Sequence, residues 1–182
     1  MLGANEKKVK AAPLLAVFCA DLEPSKRLPR MEELQREAGM TESYRANTAM
    51  AVNLFSGEGV VGNVIRNVAT SAASPLAPAP QVYSVEAWSF KNTALAVQTY
   101  MLACSAYGMT TAPMEGFDAR RVRTALDIPD RYAIPMVVAT GYPEPSPTDR
   151  GRKGERWRYP PREIVFDGTF GVPLEGVEPV VP

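Results

Sequence analysis

The sequence contains no histidine, and this absence excludes several kinds of chemistry at once. Without imidazole the chain cannot form a Ser-His-Asp or Cys-His nucleophilic site, or a metal site with histidine ligands. The chain has two cysteines, Cys19 and Cys104, and both lie in apolar segments without C-x-x-C spacing. We therefore expect no disulfide and no metal site, and we expect both thiols to be reduced and buried.

An excess of charge and a long apolar run are also missing. Twenty Lys and Arg residues balance twenty Asp and Glu residues, so the formal net charge is zero and favours neither nucleic acid nor an anionic membrane. The longest apolar run, Pro13 to Ala20, is far shorter than the roughly 18 residues of a membrane span. Residues 1–10 lack the apolar core of a secretory signal. We expect a soluble intracellular protein without a membrane or nucleic-acid partner.

The apolar content, 46% of 182 residues, is sufficient for one buried core, and we expect a single domain over residues 1–182. The apolar run that Asp21 ends is typical of a strand buried on both faces, which predicts a central strand. Apolar spacing and stop residues predict helices over 29–38, 41–55 and 60–73, and residues 74–80 form a proline-rich connector.

The clearest periodicity predicts a long, heavily buried helix that ends at Gly108. Its stripe comprises Phe90, Ala94, Val97, Met101 and Cys104, at steps of four and three, and Leu95 and Leu102 widen it. We expect the aromatic residues in and near this helix to pack in the core. These residues are Trp88, Phe90, Tyr100 and Tyr107.

The last part of the chain alternates helical and strand patterns. Asp118 is placed to cap a short helix, with Phe117 and Val122 as a hydrophobic staple. Residues 133–140 form a second buried strand, and residues 163–166 a third. Between these two strands, residues 144–162 are rich in Pro, Gly, Arg and Lys and are expected to form a basic surface loop. Strands separated by helices favour an α/β or α+β fold over an all-helical bundle.

The order of these pieces resembles the C-terminal half of the nitroreductase family. A long apolar helix ending in Ala106-Tyr107-Gly108-Met109 leads to the segment Pro113-Met114-Glu115-Gly116-Phe117-Asp118. A short helix, a strand closing in Gly141-Tyr142-Pro143 and a basic loop with Arg156-Trp157-Arg158 follow. The strand LLAVFCAD resembles the family's strand before its helical excursion, so the resemblance extends over most of the chain.

The resemblance implies an α+β, nitroreductase-like fold in which helices flank a central sheet. It also implies an obligate homodimer that binds FMN and passes electrons from NADH or NADPH to nitroaromatic compounds or quinones by a ping-pong mechanism. Because flavin performs the redox step, no catalytic side chain is required. Glycine at 116 permits close approach of the backbone, and the Glu115 amide can donate to the ring. Arg156 and Arg158 can offer forked donors to a phosphate. The predicted cofactor-binding residues are Pro113, Met114, Glu115, Gly116, Arg156 and Arg158.

The sequence departs from the family pattern at its beginning. Family members usually start with an Arg-x-Ser-x-Arg type segment that contacts the cofactor, and no such segment precedes Pro13. The chain therefore looks like a member that lacks the N-terminal part. This leaves a second interpretation open, a non-catalytic remnant that dimerises and binds flavin weakly or not at all. A third interpretation, nucleic-acid binding by the basic loop, is disfavoured because few aromatic residues are interleaved with its charges.

Overall fold

A computed structural model describes residues 3–78, 82–143 and 159–176, which form two compact units divided after Pro143. The first unit begins with a short 3-10 turn, Gly3–Asn5, and helix α1, Glu6–Ala11. Strand β1, Leu14–Asp21, follows, and a 3-10 turn at Pro24–Arg27 leads into the helices. The remaining elements of this unit are α2 (Leu28–Glu37), α3 (Glu42–Phe55), α4 (Val60–Ala73), α5 (Val85–Ala106), β2 (Thr110–Met114), α6 (Ala119–Ala125) and β3 (Tyr132–Gly141).

Within the described residues, the sheet is antiparallel and has the strand order β1-β3-β2. Strand β3 is therefore central, with Leu14 opposite Thr140 on one side and Thr110 opposite Gly141 on the other. The prediction that β1 is a central strand buried on both faces is wrong. An apolar run shows that a strand prefers burial, but the same run suits an edge strand covered by a helix.

The two cysteines differ in their surroundings. Cys104 is buried on α5, whereas Cys19 is exposed at a register shift between Phe18 and Ala20 of β1. The prediction that both thiols are buried is therefore wrong for Cys19. Partial burial raises the pKa of its thiol, and the charge of Arg123 opposes that change without cancelling it.

Side-chain caps form at Thr41 and at Asp118, and the sequence analysis predicts the cap at Asp118. Thr41 accepts a hydrogen bond from the Tyr44 amide at 3.3 Å, and Asp118 accepts one from the Arg121 amide at 3.1 Å. Each satisfies an amide that has no partner within its helix. Gly108, at φ +72°, follows the end of α5 in the left-handed region that suits a helix terminus.

The long helix packs on all three strands, but it is less buried than its sequence predicts. Val97 and Cys104 are each 3% exposed, whereas Leu95 is 70% exposed and Leu102 is 61% exposed. Tyr107, 79% exposed, is also outside the core. The periodicity therefore located the helix correctly, but the buried stripe is narrower than the sequence predicts. No helix in the described ranges is both long and apolar enough to cross a membrane.

The described part of the second unit is small. Helix α7 spans Pro161–Ile164, and an isolated bridge joins Phe166 to Pro173. The predicted strand over 163–166 is wrong, because Pro161 fixes a backbone angle suited to the first turn of a helix. The predicted basic loop, 144–162, lies outside the described residues up to position 158.

Candidate functional site

The segment 113–118 joins the end of β2 to the start of α6. The structure makes residues 110–114 a strand, paired through Pro113 opposite Val138 and Met114 opposite Val137. The sequence analysis predicts no strand over these residues. The chain then turns sharply, with the Phe117 amide donating to the Glu115 carbonyl at 2.6 Å. With Asp118 capping α6, both ends of the turn are fixed.

Residues at both ends of this turn pack in a hydrophobic cluster. Met114 is 4% exposed and packs with Val122 and Val137, and Phe117 contacts the same cluster. The predicted staple between Phe117 and Val122 is consistent with this packing. The Met114 side chain is occupied by the core, so only its backbone is available to a ligand.

Glu115 and Gly116 form the exposed edge of the turn. Neither amide donates to another backbone group in the described part of the chain outside the ladder of the sheet. A Cβ added at Gly116 would meet only Asn5 Nδ2, at 4.0 Å, among the described residues. The exposed backbone here can therefore be approached closely by a planar group. These features fit the contacts that a flavin ring requires.

The other predicted cofactor-binding residues lie outside this turn. Pro113 is exposed beside the turn, and Arg156 and Arg158 lie outside the described residues. Of the four aromatic residues near α5, Tyr100 has a clear core position. Its ring packs edge-on against Phe18 at 5.5 Å, and its hydroxyl lies 2.8 Å from Thr140 Oγ1.

The sequence reasoning missed the proximity of Asn5 to the turn. Asn5 and Gly116 are far apart in the sequence and no shared motif connects them. They meet because Val9 and Ala12 pack against the cluster that contains Met114, which places α1 beside the turn.

A second polar cluster, also missed, lies at the end of β1. The Asp21 carboxylate accepts hydrogen bonds from the Glu23 amide at 3.0 Å and from Arg131 Nη2 at 2.5 Å. The Ser89 hydroxyl donates to the Asp21 carbonyl at 2.6 Å and ties α5 to β1. Partial burial raises the pKa of the Asp21 carboxyl, but these bonds and one from Arg27 outweigh it and hold the pKa below its ordinary value. The cluster joins the end of β1 to Arg131 and to α5, and the buried Arg131 Nε has no hydrogen-bond partner among the described residues.

A cleft of about 390 Å³ between α2 and α3 holds none of the predicted site residues. Its lining includes Leu28, Met31, Gln35 and Arg45. In the described ranges, no three Cys, Asp or Glu side chains converge as a metal site would require. The turn at Glu115 and Gly116 is therefore the candidate site that both the sequence pattern and the geometry support.

Comparisons with known proteins find similarity in both sequence and fold. Residues 62–142 match the nitroreductase family. A Thermus thermophilus protein named NADH dehydrogenase is 28% identical over 139 residues, which are 76% of this chain and 56% of that protein.

Two solved structures share the fold. A nitroreductase family protein from Streptococcus pneumoniae has a TM-score of 0.63 at 18% identity, over 91% of this chain and 69% of that one. A protein of Exiguobacterium sibiricum, described as a nitroreductase and solved in complex with FMN, has a TM-score of 0.53 at 17% identity. That match covers 85% of this chain and 67% of the other. The α+β, nitroreductase-like fold expected from the sequence is confirmed.

Proposed function

Residues 62–142 match the nitroreductase family, and on that premise we propose that the chain is a member of it and is an FMN-dependent oxidoreductase that takes electrons from NADH or NADPH. We propose nitroaromatic compounds or quinones as acceptors, reduced by a ping-pong mechanism. The observation that carries the proposal is the exposed turn at Glu115 and Gly116, whose backbone a planar ligand can approach closely. The name of the Thermus relative and the FMN in the Exiguobacterium structure support it.

In this proposal the protein positions the cofactor and performs no covalent step. Bound FMN would supply the redox chemistry, by accepting hydride and passing electrons on. The Glu115 amide would donate to the ring, and Gly116 would allow the ring to lie against the backbone. Arg156 and Arg158 would bind the phosphate through charge-assisted hydrogen bonds. The buried Met114 would keep the turn in place.

A homodimer belongs to the same proposal. Helix α4 exposes Val64, Ile65 and Val68, each more than half accessible, and α5 exposes Leu95 and Leu102. Apolar surface of this extent on long helices is typical of faces that a second subunit covers. Size-exclusion chromatography with light scattering tests this point, and a stable monomer would contradict it.

The alternative is a dimerising protein that binds flavin weakly or not at all. The chain spans 56% of the length of its Thermus relative. The two functions differ in flavin retention. We would add excess FMN to the purified protein, desalt it, and record the visible absorbance spectrum. Retained flavin supports the oxidoreductase, and colourless protein supports the alternative.

Gly116→Ala tests whether the turn is the flavin site. The added methyl meets no atom closer than 4.0 Å, so the thermal midpoint should stay at the wild-type value. The methyl would separate a ring from the backbone, and we expect the FMN dissociation constant to rise by roughly tenfold or more, as for the loss of a close polar contact. The measurement is quenching of FMN fluorescence.

Gly39→Ala is the matched control. Gly39 has φ +72° with nothing within 4 Å of an added Cβ, and it lies after α2, away from the turn in sequence. This control should lower the thermal midpoint slightly and leave FMN affinity unchanged. Wild-type affinity in Gly116→Ala would show that flavin, if bound, is held elsewhere.

A further inference from the structure

We draw no further inference here: the strongest candidate, the cleft of about 390 Å³ between α2 and α3, carries nothing, because its Gln35 and Arg45 side chains already donate hydrogen bonds to Thr48 and to the Met40 carbonyl and nothing in the described residues shows what would occupy it.

Discussion

Adding one methyl group at Gly57 tests how tightly the connection between α3 and α4 is held. Gly57 lies between Ser56, which is fully buried, and Glu58. The Glu58 carboxylate accepts hydrogen bonds from the Ser25 amide at 3.0 Å and the Ser25 hydroxyl at 2.8 Å. At φ +67°, an added Cβ would lie 2.0 Å from the Tyr83 carbonyl oxygen and 2.9 Å from Ser84 C. The methyl group would therefore collide with backbone atoms, which cannot rotate away as a side chain can.

Two effects set the expected cost of Gly57→Ala. A side chain in the left-handed region costs roughly 1–2 kcal/mol, and forced displacement of a packed backbone costs roughly 1–3 kcal/mol more. The sum, about 2–5 kcal/mol, is a large part of a domain stability of roughly 5–15 kcal/mol. For a chain of this size it corresponds to a fall in thermal midpoint on the order of 10 °C.

The assay is urea unfolding followed by circular dichroism, with Gly39→Ala again as the control. Gly39 shares the positive φ but has open space around an added Cβ. The control therefore measures the free-energy cost of the left-handed backbone conformation alone. Gly57→Ala should be less stable than Gly39→Ala by about 1–3 kcal/mol. Equal unfolding midpoints for the two variants would refute the reasoning, since the contact with Tyr83 would then cost nothing.

Two further predictions follow from titratable groups. Because its partners hold the Asp21 pKa below the ordinary value, Asp21 stabilises the fold above about pH 4 and loses that contribution as the pH falls through its folded pKa. Asp21→Asn should therefore be less stable than wild type at pH 7, and the difference in unfolding free energy should shrink below about pH 4. A difference independent of pH would contradict this. In the native protein a thiol reagent should label Cys19 and spare Cys104, at a rate that rises with pH because burial raises the Cys19 pKa. Equal labelling of both thiols, measured by mass spectrometry of peptides, would exclude the burial difference.

Local sequence determined the helices and their ends. The periodicity from Phe90 to Cys104 located α5, and Thr41 and Asp118 cap the helices that follow them. Such signals are readable because capping and helical periodicity depend on residues within one or two turns. The motif at Glu115 and Gly116 is likewise contiguous, so the candidate turn could be chosen from sequence.

Tertiary structure alone decided which strand is central, which thiol is buried and what lies over Gly116. Strand order depends on pairing between β1 and β3, whose residues are more than a hundred positions apart, and an apolar run does not specify its partner. The five-residue β2, interrupted by Pro113, is too short for a periodic signal. Asn5 reaches Gly116, and Arg131 reaches Asp21, only because packing of the core brings distant segments together. The sequence thus determined the local elements and the motif, and long-range packing determined their neighbours.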